Sequence, residues 1–526
     1  MVWFLSSSVF TVFMAIFRTM SIISMPLIGV RVKLLQQRLR RWLTVPPALV
    51  RRYGPGLDER VWTAVVALGA FMLLMLKEVQ FSTTEVLVIG GLIVAALRVM
   101  REDDPVVPFY WLIAYLPFSR SLGATAGEQV AAFNIPNLFA LIIFALHVLR
   151  QRRARQPIVE SSLLGSVVLI FLGAVTVLML RATWLYGAGY AQEFLLPFLR
   201  WIKVFGFLFL TYWVLRDQRA LKTSAVLIML GVFAVTLLGL WEYLDKAGES
   251  FERSRIRAIA QEPNVLGAFY VSYIFLYAAA FLTAPRHGYG WLGLGALGLT
   301  ARAMLATFSR GACVAFVVGG LVLCWFRHRI LFAIAMIGTV FVMANPQWLP
   351  EGVRYRFGMT LRNQPVHSAA QRDDIAQHLE SSAGNRVYIW RGAVKMIKEH
   401  PWWGVGYGVF HRFLPHYANE TGYRDAHNQL LLYAAEFGVP TAILFLTVLL
   451  VAGAEGRWLY RHTTDPILKT TALGFLAGLA GMVTANLFTS SMGPEEVAGY
   501  FWILTGLIMR AGVIEKRILS GAEGAS

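Results

Sequence analysis

The chain has 526 residues, 57% of them hydrophobic and only 15% charged, with a mean hydropathy of +0.57, whereas soluble domains carry about 25% charged residues. That balance excludes a soluble globular protein. A formal net charge of +18 does not point to a nucleic-acid partner either, because Lys and Arg stand mostly between long apolar runs, where they orient membrane helices.

In chain order, residues 1–30 are apolar but interrupted by Arg18, without the positive start of a signal peptide. Residues 31–43 set Arg31, Lys33, Arg38, Arg40 and Arg41 among leucines and Trp42, the pattern of an interfacial helix on anionic membrane lipids. Apolar runs then predict about fourteen membrane helices, near 61–76, 84–97, 105–118, 136–149, 162–180, 201–215, 225–244, 264–283, 289–307, 312–326, 330–344, 429–452, 470–490 and 497–511. Several are short, so 12–14 is the expected range. Connections assigned to one side carry about three times the Lys and Arg of the short connections on the other, so parity holds and both ends read as cytoplasmic. The reading is an all-α polytopic membrane protein with its working face on the external side. Its parts are a cytoplasmic or interfacial region 1–60, helices over 61–344, an external loop 345–428 that the resemblance given below makes periplasmic, helices over 429–511 and a cytoplasmic tail 512–526.

The loop 345–428 is long enough to be functional. Gly384-Asn385-Arg386 opens a predicted helix, capped by Asn385, in which Val387, Trp390, Val394 and Ile397 form the apolar side and Arg391, Lys395 and Lys398 a basic stripe, until Pro401 ends it. Trp402-Trp403-Gly404-Val405-Gly406-Tyr407-Gly408 follows, whose alternating glycines permit close backbone approach. Next, Asp425-Ala426-His427-Asn428 stands where the following apolar run begins, placing His427 at the membrane boundary, where a neutral-pH base could act. Six of the ten histidines lie in this loop, but no HExxH or other compact ligand spacing occurs and no metal is expected.

Earlier in the chain, Arg310 in Thr307-Phe308-Ser309-Arg310-Gly311 occupies a short connection at the same boundary. It could snorkel to lipid or grip a phosphate with two parallel hydrogen bonds. Lys246, Arg253, Arg255 and Arg257 crowd one short external connection against the charge bias, which a polyanion there would explain. Lys203 and Arg302 fall inside apolar runs near their ends and read as snorkelling side chains.

Together these segments resemble the O-antigen ligase and polymerase superfamily of bacterial inner-membrane glycosyltransferases. The residues that carry the resemblance are Thr307-Phe308-Ser309-Arg310-Gly311-Ala312, Gly384-Asn385-Arg386 with Trp390, His400-Pro401 with Gly404-Val405-Gly406-Tyr407-Gly408, Ala426-His427-Asn428 and Glu436-Phe437-Gly438, with Arg257 and Glu262-Pro263-Asn264 upstream. The resemblance implies a helical bundle related to the C-type glycosyltransferases. It also implies transfer of a glycan from undecaprenyl diphosphate to an acceptor hydroxyl such as that of lipid A-core. Carried over, His427 matches the histidine near the acceptor, while Arg310, Arg386 and, less closely, Arg257 match arginines associated with the donor diphosphate. The chain departs from the pattern in about two extra spans and a longer amino-terminal region.

The residues agree with that chemistry on their own account. Displacing a diphosphate from an anomeric carbon needs a base for the incoming hydroxyl and positive charge on the leaving group. The loop's acids, Asp373, Asp374, Glu380 and Asp425, form no clear metal-ligand set, so an inverting, metal-independent, cofactor-free transfer is expected. Ligase-like transfer is favoured slightly over O-antigen or exopolysaccharide polymerisation. A transporter is the alternative of a different class, but no internal repeat is visible and the distinctive residues cluster at one boundary.

Overall fold

A computed structural model describes residues 104–120, 135–249, 253–285, 288–349, 351–358, 381–418 and 425–523, with isolated positions between 58 and 69. The chain divides into two compact units, Met1–Pro55 and Gly56–Ser526. The whole first unit lies outside the described residues, and with it the expected interfacial helix. The expected spans at 61–76 and 84–97, apart from those isolated positions, and the acids Asp373, Asp374 and Glu380 lie outside them too.

Among the described residues every regular element is helical. In order they are α1 (Val106–Tyr115), α2 (Ile135–Arg153), α3 (Leu163–Tyr186), α4 (Ala188–Val214), α5 (Gln218–Asp245), α6 (Pro263–Thr283), α7 (Gly288–Ala306) and α8 (Arg310–Arg327). There follow α9 (Arg329–Ala344), α10 (Glu351–Gly358), α11 (Ser381–Glu399), α12 (Phe410–Tyr417), α13 (Gln429–Phe437), α14 (Val439–His462), α15 (Pro466–Ala485) and α16 (Glu495–Glu523). Eight of them (α3, α4, α5, α6, α8, α14, α15 and α16) are long and apolar enough to cross a membrane, and α1 with its 3-10 extension and α9 are shorter apolar helices. The protein is an all-α polytopic membrane protein.

The core is α6 and α16, each 89% buried over its most apolar window, while α8 is 22% buried and leaves most of its surface for lipid. Helix α6 is apolar all round (PNVLGAFYVSYIFLYAAAFLT), which suits a helix enclosed by others. Against it lies α15, whose Gly474 and Gly478 stand four apart; a Cβ on Gly478 would come within 2.1 Å of the Ser272 carbonyl. Small residues at this spacing let two backbones approach closely in lipid. Tyr273 donates to the Val497 carbonyl and Tyr500 to the Ile113 carbonyl, so buried phenols tie α6 to α16 and α16 to α1.

Successive spans alternate in direction and so create two faces. One face gathers the end of α3, the starts of α6, α8, α14 and α16, and the end of α15. There Ile256 N–H bonds the Ala306 carbonyl and Gln429 N–H bonds the Asn486 carbonyl. The far face joins the other ends, through Lys222 to Asp465 at 3.0 Å and Arg510 to Glu160 at 2.5 Å.

Several sequence boundaries are corrected. Residues 181–200, expected as a loop, are almost wholly helical: the turn is confined to Gly187 at φ +83°, and α4 begins at Ala188. The expected span 429–452 is broken at Gly438, φ +85°, into short α13 and spanning α14. Hydropathy is blind to both breaks because glycine interrupts the backbone without lowering apolarity. Helix α11 starts at Ser381, so Asn385 lies within it and does not cap it. Its buried side is Ile389, Ala393 and Met396, while Val394 is exposed, a rotation relative to the expected stripe. The basic residues Arg391, Lys395 and Lys398 are exposed as expected. Lys203 and Arg302 do not simply snorkel. Lys203 pairs with Glu495 at 2.7 Å, and Arg302 lies 4.1 Å over the Tyr243 ring.

Candidate functional site

The turn between α7 and α8 builds the site. Thr307 Oγ1 donates to the Met304 carbonyl, and Ser309 caps α8 by accepting from Ala312 N–H. Arg310 and Gly311 therefore form the first turn of α8, where backbone N–H groups and the helix dipole favour an anion. Phe308 between them sits at φ +50°, a left-handed conformation that a bulky residue adopts only when its surroundings hold it. Its ring is the restraint: a Cβ on Gly352 of α10 would lie 2.4 Å from Phe308 Cε1. That contact seats α10 against the turn and brings Arg356 with it.

A pocket of about 410 Å³, including space continuous with solvent, opens here. Four guanidinium-bearing residues line it: Arg255, Arg310, Arg356 and Arg386. Asn264, Ser309, Gly311 and Thr489 supply further polar or backbone surface, and Phe308 and Phe488 apolar surface. Arg255 is aimed by its Nε bond to the Thr307 carbonyl at 3.0 Å and by its Nη2 bond to Asn264 Oδ1 at 3.2 Å. Arg386 arrives from α11, Arg356 from α10, and Phe488 and Thr489 from the segment after α15. So many guanidiniums around one small space are suited to a polyanion such as a diphosphate.

Of the arginines singled out in the sequence, Arg310 and Arg386 meet in this pocket. Arg257 does not line it: its side chain is exposed, and its backbone N–H bonds Glu242 Oε2 at 3.0 Å. The neighbouring Arg255 takes that place. Two residues apart in an irregular segment, the two arginines differ only in which is anchored to Asn264 and the α7–α8 turn, and spacing alone does not reveal that. Arg255→Ala is expected to weaken binding of inorganic pyrophosphate, a minimal polyanion probe, by about tenfold or more and Arg257→Ala by much less, as titration of each purified variant would show. Arg356 carries no motif in the sequence and is brought to the pocket by the packing of α10 on Phe308.

His427 is not among the residues lining the pocket, but it is tied to the elements that form it. Ala426, fully buried, accepts a bond from Trp390 Nε1 at 3.0 Å, and the Trp390 ring lies 6.4 Å from Phe488. Asn428 caps α13 by accepting from Leu430 and Leu431 N–H. Held between these two anchors, His427 has φ +47° and its N–H reaches Asp425 Oδ2 at 3.3 Å. Ala258, Phe308 and His427 are three of the four non-glycine residues with positive φ among those described; the segments of the first two contribute Arg255 and Phe308 to the pocket, and that of His427 is tied through Trp390 to α11, which contributes Arg386. Backbone strain of this kind concentrates at functional sites.

The glycine-aromatic segment is a brace. Val405 and Gly406 N–H bond the Ala435 and Glu436 carbonyls, and Pro401 accepts from Val439 N–H. Gly404 at φ +60° leaves no room for a Cβ, which would fall 2.3 Å from the Glu436 carbonyl carbon. Burial pushes the Glu436 carboxyl up to about 8, with the Asp425 charge adding and the N–H groups of Phe410 and Gly408 opposing. The native state therefore keeps a proton that the unfolded chain, near 4.5, gives up. Stability from this group is full below that lower value and falls as pH rises to about 8. Glu436→Gln should flatten the pH dependence of the melting temperature across this window, measured in detergent from pH 5 to 9; equal slopes would remove the carboxyl as the cause.

Among the described residues no group of three or more His, Cys, Asp or Glu side chains is arranged to hold a metal ion. The fold and pocket define a polytopic membrane protein with an arginine-lined pocket at one end of its helices. Residues 295–446 match the family model for O-antigen ligase, which supports the resemblance to the O-antigen ligase and polymerase superfamily over that stretch. The match takes in Arg310, Arg356, Arg386 and His427 and stops short of Arg255 and Arg257. No curated protein matches the chain.

Proposed function

We propose that this protein transfers a glycan from undecaprenyl diphosphate to an acceptor hydroxyl at the periplasmic face of the bacterial inner membrane, in the manner of an O-antigen ligase. The observation that carries this reading is the convergence of Arg255, Arg310, Arg356 and Arg386 on one pocket at the first turn of α8. In this reading the guanidiniums hold the donor diphosphate and neutralise the charge that develops as the anomeric carbon–oxygen bond breaks. His427 takes the proton of the acceptor hydroxyl, whose oxygen forms the new bond to the anomeric carbon with inversion. Undecaprenyl diphosphate leaves. No divalent cation is assigned a role, because arginines supply the positive charge at the leaving group.

The test is purified protein in nanodiscs with an undecaprenyl diphosphate-linked oligosaccharide, with and without chelator, offered lipid A-core or no added acceptor. Glycosylated lipid A-core that appears in chelator supports the ligase reading. Longer carrier-linked glycans without added acceptor assign polymerisation by the same pocket, and no product in either arm overturns the transfer reading. The exposed tryptophans Trp184, Trp402 and Trp403 beside the outer ends of α3 and α14 support placing this face at a headgroup boundary.

A further inference from the structure

The far face carries a second concentration of positive charge, remote from the arginine pocket. Glu160, in the connection between α2 and α3, is approached by Arg510 at 2.5 Å, Arg517 at 3.7 Å and Arg216 at 3.8 Å. Among the described residues it is the single carboxylate in ion-pair range of these three guanidiniums. Their burial differs sharply: the Arg510 side chain is 3% exposed and also donates to the Leu215 carbonyl at 2.8 Å, whereas Arg517 is 66% exposed. Arg510 is thus a structural tie between α16 and the α4–α5 turn. Arg216, which also donates to Gln156 Oε1 at 2.8 Å and is 22% exposed, and the outward-facing Arg517 carry charge that one carboxylate does not balance. Crowding registers on the group itself, since burial and then the neighbouring Arg510, Arg150 and Arg517 charges pull the Arg216 guanidinium down against the pull of Glu160.

Next to these arginines the surface is apolar. Leu163 opens α3 beside Ser162, whose hydroxyl contacts Met509 Sδ at 3.2 Å, and Ile518 and Leu519 follow Arg517 on the last turns of α16; all three are exposed. Surplus positive charge at the end of membrane helices, bordered by exposed aliphatic side chains, is complementary to an amphiphile and not to a soluble anion.

We propose that Arg216 and Arg517, held around Glu160, form a binding site for the headgroup phosphate of an anionic phospholipid in the leaflet at the far face, with its acyl chains along Leu163, Ile518 and Leu519. The site is independent of glycan transfer and does not rest on that reading. Its occupant closes the seam between the start of α3, the α4–α5 turn and the end of α16.

The experiment uses the full chain in detergent, with native mass spectrometry scoring bound phosphatidylglycerol against phosphatidylcholine at equal concentration. Wild type should favour phosphatidylglycerol by about tenfold or more. Arg216→Gln with Arg517→Gln should bring the ratio near parity, while Arg329→Gln with Arg461→Gln, exposed arginines elsewhere on the same face, should leave it. Arg517→Gln alone, at a side chain exposed enough not to disturb folding, should lower the ratio part of the way. The proposal is overturned if wild type shows no preference, if the first pair keeps it, or if the control pair loses as much. Glycerol phosphate competing as well as phosphatidylglycerol would also overturn it, because the acyl chains would then contribute nothing.

Discussion

His427→Ala is expected to lower glycan transfer by about a hundredfold or more while the chain folds and still binds the diphosphate-bearing donor. The expectation rests on where the backbone puts this residue. Ala426 is pinned by Trp390 on one side and Asn428 caps α13 on the other, so the imidazole is carried on a strained but fixed segment anchored to α11 and α13. None of those anchors uses the His427 side chain, so removing the ring should leave them in place. Donor affinity, set by guanidiniums on other elements, should change little, and the loss should appear in kcat. Measuring donor binding and turnover on the same preparation separates the outcomes. A variant that lost donor binding and thermal stability together would make His427 a structural residue, and one that retained full turnover would end its assignment as the base.

Arg310→Lys is expected to cost about ten- to a hundredfold in kcat/KM, although the charge is kept. Arg310 stands in the first turn of α8 behind the Ser309 cap, and a diphosphate there would meet both the helix N-terminus and the planar fork of the guanidinium. Lysine offers a point charge at the end of a flexible stem and forfeits the second parallel hydrogen bond. Arg310→Ala should cost more, because charge and geometry are then both lost. Steady-state rates of the three proteins at varied donor concentration check this order, and a lysine variant equal to wild type would eliminate the bidentate role.

Residues that the sequence isolates and those it hides differ in a physical way. Arg310 was legible in a short polar motif at the edge of an apolar run and Arg386 in a motif that opens a predicted helix of the long loop, and both line the pocket. Arg356 was not, since it lies in a stretch without periodicity and comes to the pocket on α10, whose Gly352 lets it settle on the Phe308 ring. Arg255 was visible as one of a basic group, but its separation from Arg257 depends on contacts with Asn264 and Thr307 that come from other helices. Helix α11 shows the same limit. Its existence was readable from apolar spacing, yet its start and the rotation of its buried face were set by what it packs against.

The sequence by itself determined that the chain is an all-α membrane protein, that its spans alternate, and that arginine-bearing motifs stand at or between the ends of its apolar runs. Those properties follow from apolarity, charge placement and glycine-rich motifs, which act locally along the chain. Tertiary structure alone decided where the span breaks at Gly438 against Trp402, which intramembrane charges are paired and which four arginines share a pocket. Each of those depends on a close approach between segments far apart in sequence, and the free energy of such a contact belongs to the pair of surfaces and not to either stretch alone.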